Sequence, residues 1–172
     1  MRLVEGVAHV DDVDAFVSEL NAIGDDHGVT VQAFDARYVV SRAHLERAVE
    51  LADRALARGT NVARDRGVEI LLYAAGRRQI DRALTLGISP GERPVVVLID
   101  APPDRVARET DGDETAAAAA VASLLDPVET LGEVDASLIR AYFDVGDPEL
   151  AAVEGDLADI VLERVALLDV EK

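Results

Sequence analysis

The sequence predicts an α+β fold in which a small sheet packs against helices. Short apolar or alternating runs typical of strands occur within the first 100 residues, helical periodicity lies between them, and the last third is helical. With 172 residues, of which 49% are hydrophobic, the chain can build one sizeable core but is too short for two ordinary domains. We therefore expect a single domain over residues 1–172, with a mostly antiparallel or mixed sheet of about four strands.

Strands and helices alternate in the first third of the chain. Residues 3–10 are predicted to form a strand, and an aspartate at 11–12 caps a helix with apolar residues at helical spacing. Residues 29–34 alternate apolar and polar side chains, which is typical of a half-exposed strand. Ser41 then caps a long helix with one apolar face, and Gly59 ends it.

The middle of the chain is predicted to add two buried strands. Residues 68–75 and 95–99 are nearly all apolar, and we interpret both as strands buried on two faces. Between them, Gly76 starts a short helix over residues 77–86. Further helices are expected after Pro102-Pro103 and over residues 111–125, 136–143, 148–152 and 156–168.

Acidic residues dominate the charge, but unevenly. There are 34 Asp and Glu against 17 Lys and Arg, and the only lysine is Lys172. An acidic, lysine-poor composition suits a protein that works in multimolar salt, because salt at that concentration screens self-repulsion within ~3 Å. Residues 37–93 nevertheless carry a net +4, against −7 for residues 1–36 and −14 for residues 94–172. Either these arginines pair with acids on helix faces, or they contact an anion such as a nucleic acid.

Several classes of function lack the residues that they need. The chain has no cysteine, so disulfides, thiolate metal sites and thiol catalysis are excluded. A P-loop requires Gly-Lys-Ser/Thr, and the lone lysine is the last residue. No apolar run approaches the ~20 residues of a membrane span, and the start has no signal-peptide core. We expect a cytoplasmic protein with no membrane contact.

The segment after Gly76 conflicts with the rules for helices. Arg77 and Arg78 would occupy the first helical turn, where the macrodipole disfavours cations by roughly 0.3–1 kcal/mol each. Arg78 and Arg82, four residues apart, would repel each other by a further ~0.2–0.5 kcal/mol. A bound anion would relieve both penalties, and so would acidic side chains from elsewhere in the fold.

An ordered set of motifs in this region is similar to a known family. The set comprises Gly59, Asn61, Ala63 and Arg64, then Glu69 before Ile70–Leu72, then Arg78-Gln79-Ile80, Ala83 and Gly87-Ile88. It resembles the small accessory subunits of the KEOPS complex that bind its atypical PRPK-type kinase, the TPRKB family. The close match covers residues 35–88, with a looser match towards both ends.

The resemblance implies a non-catalytic subunit without a cofactor. KEOPS makes N6-threonylcarbamoyladenosine in tRNA, and a separate ATPase-fold subunit performs that chemistry. A TPRKB-like subunit docks on the kinase subunit and, in archaea, helps hold tRNA by its 3′ CCA end.

From the residues themselves we place RNA contact and partner contact at two sets of side chains. The candidates for RNA are Arg64, Arg77, Arg78, Gln79 and Arg82. The last helix is apolar on more than one face, so its candidates for the kinase are Ile160, Val161, Val165 and Leu168, although a core role is the plainer reading. Self-association stays open. The alternatives are a regulatory domain that binds a phosphorylated metabolite and a small hydrolase.

Overall fold

The computed structural model describes residues 1–103 and 110–171, and it confirms the α+β class. In chain order the elements are β1 (Arg2–Val10), α1 (Val13–His27), β2 (Thr30–Asp35), α2 (Arg42–Arg58), α3 (Arg66–Ala75), α4 (Ile80–Ala83), β3 (Gly91–Asp100), α5 (Thr110–Ala122), β4 (Asp126–Pro127), α6 (Ala136–Tyr142), α7 (Asp147–Ala152) and α8 (Leu157–Glu171). Single 3₁₀ turns follow β2 and α4. The helix predicted after Pro103 lies outside the described residues.

The chain forms two compact units. Unit 1 comprises residues 1–35 and 87–130, and unit 2 comprises residues 36–86 and 131–172. The sequence of unit 1 contains 17 acidic and 4 basic residues, whereas that of unit 2 contains 17 acidic and 13 basic residues. The cations are therefore concentrated in unit 2. The assignment of residues 1–172 to a single domain stays a prediction.

Unit 1 contains the sheet, whose strands are antiparallel in the order β2-β3-β1-β4. β1 pairs with β3 along its whole length, while β4 adds only two residues opposite Gly6 and Val7. A Cβ on Gly6 would lie 2.6 Å from the carbonyl oxygen of Asp126 and 2.9 Å from Cβ of Leu125. Only glycine therefore lets the chain that enters β4 approach β1 so closely.

Helices α1 and α5 pack against each other in unit 1, and α5 also packs on β1 and β3. Alternate residues of the strands supply the buried core beneath them, as period-2 side chains require. The core includes the strand residues Ala8, Val10, Val31, Val95, Val97 and Ile99, together with Leu20 of α1 and Val121 of α5. No helix in the described ranges combines the length and the hydropathy needed to span a membrane.

Unit 2 is helical, with α2 packed against α3 and α8. The prediction of a strand over residues 68–75 is wrong, because this run forms most of α3. Asp65 caps the helix by accepting a hydrogen bond from the Val68 N–H at 2.9 Å. Gly76, with φ 60°, ends it in a left-handed conformation. The run is buried as predicted, but a fully buried apolar segment has the same composition in either structure.

Candidate nucleic-acid interface

Arg77 and Arg78 follow a helix instead of starting one. The N–H groups of Gly76 and Arg77 donate to the carbonyls of Tyr73 and Leu72 at 3.0 and 3.1 Å, which closes α3 in a Schellman motif. The next helix begins only at Ile80. Both arginines thus lie at the C-terminus of α3, where the macrodipole favours cations. This corrects the predicted helix over residues 77–86 and removes the dipole penalty expected from the sequence.

The predicted repulsion between Arg78 and Arg82 also falls away. Gln79 precedes α4 with φ −89° and ψ 122°, which is extended backbone. The two arginines therefore do not lie one turn apart on a single helix, and the i, i+4 argument does not apply. Whether this segment can bind an anion therefore depends on which of its side chains are exposed and which are already paired.

The guanidinium group of Arg77 is held by Tyr142, the last residue of α6. Its Cζ lies 5.0 Å from the centre of the Tyr142 ring, and its Nη2 donates to the Tyr142 carbonyl. The Tyr142 hydroxyl in turn donates to the carbonyl of Arg82 at 2.9 Å. Burial raises the pKa of Tyr142, and the nearby Arg77 opposes that rise. Tyr142 thus contacts both the side chain of Arg77 and the backbone of Arg82.

Tyr142 is itself supported by other aromatic rings. It meets Tyr38 edge to face at a centroid distance of 5.8 Å, and Phe143 at 5.0 Å. Tyr38 and Phe143 are both buried, while Tyr142 is half-buried. Sequence reasoning did not place Tyr142 in the site, because it lies 65 residues from Arg77 and only tertiary packing brings them together.

Arg78, Gln79 and Arg82 are exposed. No described residue forms a hydrogen bond or an ion pair with either guanidinium group. The side chain of Gln79 does not cap α4, so its amide also stays open to solvent. This short segment therefore presents two cations and an amide that can both donate and accept hydrogen bonds.

Other arginines of the basic stretch are paired within the chain. Arg66 makes two hydrogen bonds to Asp53 at 2.7 and 2.8 Å, and Arg47 and Arg54 both bind Glu50. For these side chains the interpretation that arginines pair with acids is correct. Among the described residues of unit 2, the arginines without an acidic partner are Arg58, Arg64, Arg77, Arg78 and Arg82, and of these Arg77 is bound by Tyr142.

Arg64 lies apart from the other RNA candidates. It is exposed in the loop between α2 and α3, before the start of α3. Arg78 follows the opposite end of that ten-residue helix, which is about 15 Å long at 1.5 Å per residue. The structure thus groups Arg77, Arg78, Gln79 and Arg82 in one segment and places Arg64 at the other end of α3.

The four kinase-binding candidates on α8 are buried. Three of them are fully inaccessible, and the fourth is nearly so; they are Ile160, Val161, Val165 and Leu168. Because α8 packs on α2 and α3, these side chains belong to the core of unit 2. The apolar α8 residues that a partner can reach are Leu167, 39% exposed, and Val170, 78% exposed. The kinase contact at the four buried residues stays a prediction, and Leu167 and Val170 are the exposed apolar residues of the same helix.

Two grooves lie in unit 1, and neither is lined by residues of the segment after Gly76, where the metabolite alternative places its phosphate. The larger, about 620 Å³, lies between β1 and α5 and is mostly apolar. The smaller, about 270 Å³, is lined by His9, Asp11, Asp12 and Glu19 among others. Neither lining includes an arginine, so neither groove offers the charge that a phosphorylated metabolite requires.

A histidine and two carboxylates meet at the edge of the sheet. Nε2 of His9 lies 2.6 Å from Oδ2 of Asp126, and Nδ1 lies 3.9 Å from Oε2 of Glu92. The hydrogen bond to Asp126 raises the pKa of His9. In the described ranges, no serine or threonine hydroxyl hydrogen-bonds to this histidine, and no group of three His, Asp or Glu residues is arranged to hold a metal ion. The pair links β1 to β4.

A family model described as "Kinase binding protein CGI-121" matches residues 9–169. The matched range includes both sets of candidate residues and nearly all of the two units. No curated protein matches the chain. The family match confirms the resemblance seen in the motifs between Gly59 and Ile88. The chain therefore belongs to the CGI-121 family of kinase binding proteins.

Proposed function

We propose that the chain is a non-catalytic accessory subunit of the KEOPS tRNA-modification complex in the cytoplasm of a halophilic archaeon. In this proposal it binds the atypical PRPK-type kinase subunit and helps recruit tRNA through its 3′ CCA end. Family membership supports the kinase contact. The observation that carries the RNA contact is the exposure of Arg64, Arg78 and Arg82 without an acidic partner among the described residues of a chain with net charge −17.

The chemistry of a single-stranded tail fits the segment after α3. Such a tail is bound by cations along its backbone together with stacking or edge contacts to its unpaired bases. Arg78 and Arg82 each supply a planar fork that can bind a phosphate through two hydrogen bonds. Gln79, between them, can both donate to and accept from a base edge. In multimolar salt counterion release contributes little, so these short contacts would supply most of the affinity.

A pull-down of tRNA tests the role in recruitment. In concentrated KCl, immobilised wild-type protein should retain intact tRNA better than tRNA trimmed of its CCA end. Arg78→Glu should abolish that preference, because it reverses one of the proposed phosphate contacts. Arg2→Glu makes the same change of charge at an exposed arginine of unit 1 and should keep the preference. Equal retention of intact and trimmed tRNA by the wild type would refute tail binding.

A capture assay with the PRPK-type kinase tests the other half of the proposal. Val170→Asp puts a charge on the most exposed apolar residue of α8 and should weaken capture. Val128→Asp is the matched control, because it makes the same substitution at an exposed valine of unit 1, 52% accessible. Equal effects of the two substitutions would show that the exposed end of α8 is not the contact.

The metabolite alternative gives a different result in the same assays. If the Arg78 segment bound a phosphorylated small molecule, inorganic phosphate at millimolar concentration would displace intact tRNA and trimmed tRNA from the protein equally. The proposal expects little displacement, because separate phosphates lack the connected backbone and bases of a tail.

A further inference from the structure

The backbone of the loop that carries Arg64 is hydrogen-bonded to a buried carboxylate. This Arg64 loop comprises residues 60–65. Glu69 on α3 is fully inaccessible to solvent, and its Oε2 accepts hydrogen bonds from the N–H groups of Ala63 at 2.8 Å and Val62 at 3.1 Å. Its Oε1 lies 3.3 Å from the same Val62 nitrogen. One carboxylate thus binds two consecutive peptide groups.

A second side chain closes the same loop from within. The amide of Asn61 donates to the carbonyl of Ala63 at 2.8 Å. Asp65, directly after Arg64, is fixed as the N-cap of α3. The backbone on both sides of Arg64 is therefore tied to groups whose own positions are set by α3.

Burying a carboxylate is costly unless its oxygens are hydrogen-bonded. Here two loop N–H groups supply part of the compensation, so the carboxylate and the loop conformation depend on each other. The result is a backbone that directs side chains alternately inward and outward. Ala63 is buried, whereas Val62 is 46% exposed and Arg64 is exposed. The loop presents one apolar and one cationic group on a fixed frame.

We propose that Glu69 is a positioning residue that holds Arg64 for contact with a phosphate of the tRNA tail. This inference rests on the proposed function. An exposed cation without an acidic partner among the described residues, on a preordered backbone, binds a fixed anion without first losing loop entropy. The net +4 of residues 37–93 favours a polyanion over the kinase as the ligand.

The sign of the charge change separates positioning from simple electrostatics. Glu69→Gln removes one negative charge and, through space alone, should tighten RNA binding. It also replaces one acceptor oxygen with an NH₂ group that faces the loop N–H groups. If Glu69 positions Arg64, the substitution should therefore weaken RNA binding. We expect an affinity loss for CCA-ended tRNA of about tenfold, comparable to that of Arg64→Ala. Glu133→Gln, at an exposed residue of unit 2, removes the same charge without touching the loop.

A double-mutant cycle tests whether Glu69 acts through Arg64. Fluorescence anisotropy with labelled tRNA gives the affinities of the wild type, Glu69→Gln, Arg64→Ala and the double variant. If Glu69 acts through Arg64, the double variant should bind no more weakly than Arg64→Ala. Each single variant should also lower the slope of log affinity against log salt by about 0.7, the value for one contact to a single strand. Additive losses, or an unchanged salt slope for Glu69→Gln, would overturn the proposal.

Thermal unfolding shows whether Glu69→Gln retains the fold. If it does not, Asn61→Ala removes the hydrogen bond from the Asn61 amide to the Ala63 carbonyl in the same loop and should show the same non-additivity with Arg64→Ala. Weakened kinase capture with unchanged tRNA affinity would assign the loop to the protein partner and overturn the inference. A wild type that does not bind tRNA would refute the proposed function itself, whereas tRNA binding that is indifferent to Glu69 would refute only this inference.

Discussion

His44 makes the stability of unit 2 depend on pH in a defined window. Its side chain is fully inaccessible; its Nε2 lies 2.8 Å from the carbonyl oxygen of Ala74, and its Nδ1 accepts the Val40 N–H at 3.3 Å. This pattern assigns the neutral tautomer with the proton on Nε2, because Nδ1 is occupied as an acceptor. Burial lowers the pKa of His44 from 6.5 to about 4, and the hydrogen bond to Ala74 opposes this in part.

The direction of the effect follows from proton binding. Between pH 4 and 6.5 the unfolded chain binds a proton at His44 that the folded chain does not bind, so stability rises with pH across this window. The contribution is complete above pH 6.5 and is lost as the pH falls towards 4. The difference between 6.5 and about 4 corresponds to about 3 kcal/mol of unfolding free energy.

Urea unfolding of the wild type and His44→Gln between pH 4 and 7.5, at constant KCl, measures this contribution. Glutamine keeps one donor and one acceptor, and the titration of the carboxylates cancels in the difference. The free-energy difference between the two proteins should grow by about 3 kcal/mol from pH 4 to 7. His9→Gln alters an exposed histidine whose pKa is raised, so it should leave the His44 window intact. Parallel curves for wild type and His44→Gln would refute the reasoning.

Three substitutions test local features by urea unfolding at pH 7. Gly6→Ala should lower the free energy of unfolding by about 1–3 kcal/mol, since its Cβ would lie 2.6 Å from the Asp126 carbonyl oxygen; unchanged stability would show that β4 can shift to make room for the methyl group. Gly76→Ala should cost about 1 kcal/mol because of φ 60° at the end of α3, and an unchanged midpoint would contradict that strain. Asp53→Asn should lower the free energy of unfolding by about 1–2 kcal/mol, because it removes the charge that pairs with the half-buried Arg66; unchanged stability would show that this ion pair contributes as little as an exposed one.

Much of the fold follows from local patterns that sequence preserves. The N-cap at Ser41, the left-handed glycine at Gly59 and the apolar spacing between them predict α2 to within a residue. The strand around residues 95–99 is likewise confirmed within β3. Residues 68–75 mislead because a run buried on all sides has no periodicity. Asp65 and Gly76 bracket that run as caps and were the signal for a helix.

The candidate site was less accessible to sequence reasoning. The sequence identified which arginines stand out from an acidic chain, but pairing is a property of three dimensions. Arg66 finds Asp53 thirteen residues away, whereas Arg64 finds no acidic partner among the described residues. Burial of Glu69 and the contact of Tyr142 with Arg77 depend on packing between distant segments.

The salt dependence of tRNA binding tests the central claim most directly, namely that the unpaired arginines of unit 2 neutralise phosphates of a tRNA tail. The measurement compares the slope of log affinity against log salt for the wild type and for the double variant Arg78→Ala, Arg82→Ala. Two lost contacts to a single strand should reduce the slope by about 1.4 with intact tRNA, and by much less with trimmed tRNA. An unchanged slope with intact tRNA would contradict the account, because the guanidinium groups would then touch no phosphate.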